Sequence, residues 1–510
     1  MAESIAALLR RRAQAPDRIF AVLDDGVTIT YAEQLRRSLQ AAAGLRRRGA
    51  RPGDRVHVRL PNCREFFDVW FATALSGTVL VPTDPHSSAD ELEHILADAA
   101  PVVSIRDTAA ADGLRADAIS ARPAGRPDEP DPGPLNEPGF GEPAQDRDPG
   151  ALAAILYTSG TTSRAKGVMV TDANYVAVGR AVADHLNVTA ADRWLVVLPL
   201  FHANAQYYCA MSALTTGASI ALAPRFSASG WGRQASTMDA TLASLFAAPV
   251  RMILAAEPQP QDTGNRLRAV LFAQNLSAAD ATAFETRFGT RLLQLYGMTE
   301  TVLPPTINPD DASRRWDSIG RPLPGVTIDL VDDSGATVDG AGTGEIRVAG
   351  VPGRTLAAGY WNDAPASQSA FTDEGLRTGD LARRGDDGFL YFVDRTKDMI
   401  KRAGENVSAG EIERVANAHP AVAESAAVGV PDPIRDEAIV LVATVRPGHR
   451  LTADNLIGWC AERLSAFKVP SSVIFVDALP RTSVGKVRKA DLRSSVERTI
   501  GSSPSLRRTS

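Results

Sequence analysis

The sequence predicts an α/β protein in two parts: a large N-terminal region of layered α/β sheets carrying a small β-rich subdomain, and a smaller C-terminal α+β domain. Three observations predict it. Short apolar or β-rich runs at 56–60, 78–81, 102–105, 153–156, 194–199 and 219–223 alternate with helix-like stretches such as 32–48 and 173–185. That alternation is the pattern of a largely parallel sheet flanked by helices. After Gly320 the texture changes to short strands between Gly and Asp turns (DDSGATVDGAGTGEIRVAG, RRGDDGFLYFVD), as in a small antiparallel subdomain. From about Thr396 the chain becomes compact and mixed, with a helix over 409–419 and strands near 425–430, 438–445 and 472–475.

Length agrees with this division, since 510 residues exceed what one core organises and suggest about three structural units. Between Arg106 and Gly150, Pro, Asp, Ala, Gly and Arg crowd together without periodicity, so this stretch reads as a long surface connection. The closing GSSPSLRRTS, residues 501–510, reads as a disordered tail.

Composition excludes several classes. Hydrophobic residues make up 44% and charged residues 23%, ordinary for a globular chain. Basic and acidic residues number 55 and 60, a net charge of −5, so no global basic field draws nucleic acid or anionic membrane. Cys63, Cys209 and Cys460 are far apart and form no CxxC, specifying neither a disulfide framework nor a zinc site. The N-terminus places its basic run after its short apolar stretch, the reverse of a secretory signal. The most apolar segment, 66–81, is interrupted by Asp68, Ser76 and Gly77 and is too short to span a bilayer. The expectation is a soluble, cytoplasmic protein with no nucleic-acid partner.

Only six of the 55 basic residues are lysine: Lys166, Lys397, Lys401, Lys468, Lys486 and Lys489. Lysine offers a compact ammonium that fits beside a single phosphate or carboxylate oxygen, which a guanidinium does not. Lys166 closes ILYTSGTTSRAKG, residues 155–167, an apolar strand opening into a run of hydroxyls and glycines. Such a loop presents backbone N–H groups, hydroxyl donors and one ammonium to an oxyanion-rich ligand, as triphosphate binding requires. It is not a Walker A loop, because Gly167 rather than Ser or Thr follows the lysine. By itself the loop also fits a polar surface connection.

Further stretches remove that ambiguity: LPLFHANAQ (198–206), LYGMTET (295–301), TGD (378–380), DRTKDMIKRAGENVSAGEIE (394–413) and PRTSVGKVRK (480–489). With the 155–167 loop they resemble, in order and spacing, the signatures of the ANL superfamily of adenylate-forming enzymes. The resemblance covers nearly the whole chain. In the scaffold segments RRWDSIGRP, VPGRT, FVDRTKDMIKRAGENVS and DPIRDEAI it is nearest the crotonobetaine/carnitine CoA ligase branch.

What this implies can be matched to chemistry. Adenylation brings a carboxylate to the α-phosphate of ATP, two anions in one transition state, so catalysis is charge neutralisation plus positioning. The resemblance implies that Thr158, Ser159, Gly160, Thr161, Thr162 and Lys166 grip the β- and γ-phosphates. Thr299 touches the α-phosphate and Glu300 holds Mg²⁺. Tyr296, with Gly297 beside it, lies against adenine; Asp380 accepts the ribose hydroxyls and Arg395 steadies the sugar. Lys486 reaches between the carboxylate and the α-phosphate, and Lys397 is the hinge on which a C-terminal domain, 394–500, turns against an N-terminal AMP-binding domain, 1–393. His202 gates the acid pocket, which Asn204, Ala273, Gln274, Met298 and Val302 line with it. For Lys401, Lys468 and Lys489 the reading is solvated surface.

Departures from the pattern are Ser163 and Ala165 in place of Gly and Pro, Asp172 in place of His, and FAQNLS (272–277) in place of a glycine-rich turn. The implied reaction is ATP- and Mg²⁺-dependent activation of a small or medium organic acid, with transfer to CoA. An alternative acceptor is a carrier-protein thiol or an amine, including an aryl amine attacking a nitrosyl adenylate. The joint presence of Lys166, Glu300, Asp380 and Lys486 argues against a non-catalytic relative.

Overall fold

The computed structural model describes residues 3–108, 115–119, 147–158, 165–332, 334–402, 405–432, 436–482 and 487–502; for 107–108, 115–119, 397, 405–406 and 500–502 only the backbone is described. Two compact units emerge: Met1–Gly160, Arg164–Ile328 and Val348–Arg377 in the first; Thr161–Ser163, Asp329–Arg347 and Thr378–Ser510 in the second.

Two largely parallel sheets build the first unit. One orders its strands Arg115–Ile119, Val103–Thr108, Arg55–Arg59, Val79–Pro82, Leu152–Thr158 and Lys166–Thr171. Its inner strands run parallel and its two edges antiparallel. The other places Arg291–Tyr296, Ala269–Ala273, Leu242–Phe246, Arg193–Val196, Ser219–Leu222 and Ile19–Leu23 side by side and parallel. Short antiparallel strands close both ends.

Local chemistry accounts for the elements between strands. Thr30 caps helix Tyr31–Arg47 by accepting a hydrogen bond from the Glu33 N–H, and the helix turns Ala41, Ala42 and Leu45 inward. The apolar segment 66–81 resolves into helix Arg64–Ser76, buried almost all round, a left-handed turn at Gly77 and strand Val79–Pro82. Its one buried charge, Asp68, is satisfied by Arg37 and Gln34. Among the described residues no helix is long and apolar enough to cross a membrane.

The 106–150 stretch differs from the sequence reading, because Arg115–Ile119 forms a strand antiparallel to Val103–Thr108. Five residues, RADAI, were too few to show periodicity among prolines and glycines. Departure Asp172 also has a structural use: it accepts from the Ile5 N–H and pairs with Arg147, tying the N-terminal helix and the chain entering Leu152–Thr158 to the start of helix Asp172–His185.

His57 lies buried between Ser104 Oγ (2.6 Å) and Thr83 Oγ1 (2.8 Å), and burial pushes its pKa down to about 4. A histidine held neutral in the fold binds its proton first in the unfolded chain. Its stabilisation is therefore complete above pH 6.5 and lost as pH falls from 6.5 toward 4, about 1.4 kcal/mol per pH unit. His57→Gln should flatten the fall of melting temperature between pH 6.5 and 4.5; an unchanged slope contradicts the assignment.

In the second unit the hairpin Val422–Asp432 and Asp436–Val445 is joined by Ser472–Phe475, parallel to its second strand, and by Met399–Arg402 and Glu405–Ser408. Helices Ala409–Asn417 and Ala453–Ala461 cover one apolar face, and Lys489–Ser502 packs Leu492 and Val496 on the other. Ile328–Val331, Thr343–Val348, Gly375–Arg384 and Phe371–Thr372 follow in order in a further sheet, with Leu390–Arg395 paired to Gly375–Arg384. This is the β-rich subdomain read from the Gly and Asp turns.

Lys489 corrects the surface reading. Its ammonium lies 2.8 Å from Glu413, and the two side chains keep only 19% and 21% of their exposure. Burial opposes the charge but is outweighed by Glu413, Asp394 and Asp398, so its pKa stands above that of an ordinary lysine. Lys468 pairs with Glu411 at 2.7 Å, while Lys401 is exposed as expected. Both partners lie on helix Ala409–Asn417, distant in sequence from the lysines, and no local pattern announced either pair.

Candidate active site

Carboxyl ends of parallel strands are where open α/β sheets bind ligands. In the first unit Ala273 and Gln274 end Ala269–Ala273, and Gly297–Val302 follows the adjacent strand Arg291–Tyr296. The 198–204 segment follows Arg193–Val196 in the same sheet. The expected nucleotide and acid residues of these three segments therefore share one edge of the sheet.

Each is held by its own local chemistry. Asn204 leads into a π-helical turn, Ala205–Ala210, a form common at functional sites. From that turn Tyr207 donates to the Thr299 carbonyl (3.3 Å), and the Tyr208 hydroxyl would stand 3.0 Å from a Cβ added at Gly297. Only a glycine leaves that approach open. Thr301 Oγ1 accepts from the Met298 N–H (3.1 Å) and donates to the Met298 carbonyl (2.9 Å), closing a tight turn. Val302, fully buried, ends it at φ +58°, and Gln274 sits at φ +76°. Side chains rarely tolerate that region, so both positions store backbone strain. His202 is half-buried and packs its ring on Phe201 at 4.8 Å. Asn204 is buried, and its amide oxygen has no hydrogen-bond partner among the described residues.

Thr158 and Lys166, which flank the rest of the expected phosphate loop, face each other in the antiparallel pair Leu152–Thr158 and Lys166–Thr171. That end of the pair is fixed by Tyr157 donating to Asp98 (2.6 Å) and by His94 donating to the Ala165 carbonyl (3.0 Å). Ser159, Gly160, Thr161 and Thr162 lie outside the described residues, as does Lys486; the backbone of Lys397 falls in the short 3₁₀ turn Thr396–Asp398.

One residue that the sequence did not single out joins the two motifs of this unit. Tyr360 donates to Glu300 Oε1 (3.0 Å), and the Lys166 ammonium sits 5.0 Å from the centre of its ring. Burial, then the Glu300 charge, push the phenol pKa upward, so it remains a donor. The available signal was the GYW triplet, 359–361, whose glycine sits at φ +121°.

Among the described residues no group of three or more His, Cys, Asp and Glu side chains gathers into a metal cage. A single carboxylate, Glu300, linked through Tyr360 to the Lys166 ammonium, is nevertheless a donor set that suits Mg²⁺, which takes one or two carboxylates and fills its shell with phosphate oxygens and water. The residues fit that ion.

In the second unit Asp380 and Arg395 face each other across the hairpin Gly375–Arg384 and Leu390–Arg395, Oδ1 to Nε 3.0 Å. Asp380 is buried, and Thr378 Oγ1 receives its N–H (3.2 Å). A buried carboxylate fixed by a guanidinium is a suitable acceptor for vicinal hydroxyls.

The AMP-binding enzyme family matches residues 8–361, and the AMP-binding enzyme C-terminal domain matches 411–486. The chain belongs to this family, within the ANL superfamily of adenylate-forming enzymes.

It is 33% identical over 466 residues to a crotonobetaine/carnitine–CoA ligase of Citrobacter koseri, covering 87% of this chain and 89% of that one. To the enzyme of the same name from Salmonella paratyphi C it is 35% identical over 471 residues, with the same coverage. Among solved structures, ATP-bound MatB from Rhodopseudomonas palustris superposes with a TM-score of 0.88 at 27% identity, covering 98% of this chain and 100% of that one. O-succinylbenzoate coenzyme A synthetase from Bacillus subtilis, in complex with ATP and magnesium ion, gives 0.80 at 26%, covering 96% and 99%.

Proposed function

We propose that this protein is an AMP-forming acid–CoA ligase, acting in the cytoplasm on a small organic acid with a polar group beyond its carboxylate. The observation that carries the ligase reading is the convergence of Lys166 and Glu300 on Tyr360. In the first half-reaction a carboxylate oxygen of the acid attacks the α-phosphorus of ATP, and the bond to the β-phosphate oxygen breaks, releasing pyrophosphate. In the second the CoA sulfur attacks the acyl carbon as its thiol proton is lost, and the bond to AMP breaks.

Thr158, Ser159, Gly160, Thr161, Thr162 and Lys166 bind the β- and γ-phosphates; Thr299 touches the α-phosphate. Glu300 would hold Mg²⁺, which neutralises phosphate charge. Tyr296 stacks on adenine next to Gly297, and Asp380 with Arg395 binds the ribose. Lys486 neutralises charge where carboxylate and α-phosphate meet, and Lys397 is the pivot between the half-reactions of domains 1–393 and 394–500. The CoA-ligase names of the relatives support CoA over a carrier-protein thiol or an amine as acceptor.

The polar acid is supported by the buried Asn204, which we place with His202, Ala273, Gln274, Met298 and Val302 in the acid pocket. A buried amide oxygen without a partner costs about 1–3 kcal/mol, and a hydrogen-bonding group on the acid relieves that cost. In acid-dependent ATP–pyrophosphate exchange, short polar acids should exceed unbranched alkyl acids of equal length. Asn204→Leu should lower that ratio of kcat/KM about 10- to 100-fold. Long-chain fatty acids outperforming every polar acid would contradict the pocket reading.

A further inference from the structure

We propose that Tyr360 is a two-sided positioning residue, its hydroxyl orienting the Glu300 carboxylate for the metal and its ring seating the Lys166 ammonium for the phosphates. The proposal rests on the ATP-binding reading above and assigns work to a side chain outside the sequence motifs.

Backbone pairing dictates the placement. Residues 353–361 run along Lys166–Thr171: Ala358 N–H donates to the Met169 carbonyl (2.8 Å), Met169 N–H to the Gly359 carbonyl (2.9 Å) and Trp361 N–H to the Gly167 carbonyl (2.7 Å), with Val168 opposite Tyr360. The same segment receives Asn174 Nδ2 on the Leu356 carbonyl (2.8 Å) and sends the Ala357 N–H to the Glu300 carbonyl (3.0 Å). The Cα of Tyr360 is thus fixed to the phosphate-type hairpin, to helix Asp172–His185 and to the Glu300 turn at once. Its ring is braced edge-on by Phe371 at 5.9 Å, and its N–H donates to Ser367 Oγ (2.8 Å).

Each side of the ring has a distinct chemical consequence. A phenol donating to one carboxylate oxygen fixes the rotamer of a ligand without withdrawing its charge, and outer partners of this kind typically govern 10- to 100-fold in metal affinity. An aromatic face attracts an ammonium without neutralising it, whereas a carboxylate at the same place would compete with phosphate. Lys166 makes no ion pair among the described residues, so the ring is its recorded partner.

Two substitutions separate the sides. Tyr360→Phe keeps the ring and removes the hydroxyl; Tyr360→Leu removes both. Equilibrium ATP binding is measured by calorimetry, with EDTA and across a magnesium titration. Tyr360→Phe should raise the half-saturating Mg²⁺ at least fivefold while metal-free ATP affinity stays within twofold of wild type. Tyr360→Leu should weaken metal-free ATP binding as much as Lys166→Ala does, and Tyr360→Leu with Lys166→Ala should weaken it no further. Thermal melting verifies that each variant folds.

A wild-type magnesium response in Tyr360→Phe overturns the hydroxyl arm. Additive losses in the double variant overturn the ring arm, and melting temperatures that fall in step with affinity reduce Tyr360 to a packing residue. Wild-type protein that binds no ATP under either condition overturns the ATP-binding reading itself, which the variant comparisons leave standing.

Discussion

Replacing Lys486 by alanine is expected to lower acid-dependent ATP–pyrophosphate exchange by about 10²–10³, the scale of losing one preorganised charge-stabilising group. Transfer from a supplied acyl-adenylate to CoA should change less than about threefold. The asymmetry follows from the proposed role, because an ammonium between carboxylate and α-phosphate meets charge that develops only in the first half-reaction. The loop carrying Lys486 is fixed at its base: Val487 pairs with Arg481, the Arg488 N–H donates to the Pro480 carbonyl (2.8 Å), and Arg481 pairs with Glu424. Alanine there removes the charge and spares the anchor. Lys397→Pro, which constrains φ at the proposed pivot, should impair one half-reaction and spare the other. Equal loss of both halves in both variants would contradict the two-conformation account.

Lys489→Met should destabilise the protein by about 3 kcal/mol, the lower end for one-sided loss of a buried ion pair because both side chains keep some exposure. Glu413 is left without its cation, its other partner being the Ala427 N–H at 2.9 Å. Chemical denaturation with a probe in the second unit reads the effect, and Glu413→Gln combined with Lys489→Met should restore most of it. A single variant within 0.5 kcal/mol of wild type would return Lys489 to the solvated surface.

Lys489 shows where legibility ended. The strands and helices of the large sheets were readable because buried parallel strands are short apolar runs and because caps such as Thr30 mark helix starts. The proposed nucleotide motifs were readable because they are contiguous: Thr299 and Glu300 follow a strand end directly, and Lys166 opens the strand Lys166–Thr171. The facing of Asp380 and Arg395 depends on hairpin register, which sequence does not state. Tyr360 lies sixty residues from Glu300 and reaches it through the pairing of Val168 with Tyr360, a long-range event with no local signature. Lys489 was misjudged for the same reason, since its partner sits on a different helix.

The most direct test of the central claim supplies purified protein with ATP, Mg²⁺ and a panel of short polar, aromatic, betaine-like, inorganic and fatty acids, with and without CoA. The account predicts acid-dependent pyrophosphate exchange without CoA for at least one short polar acid, and, when CoA is added, its thioester and AMP in equal amounts. Release of ADP and phosphate, or an adenylate consumed by an amine while CoA is left untouched, would contradict it.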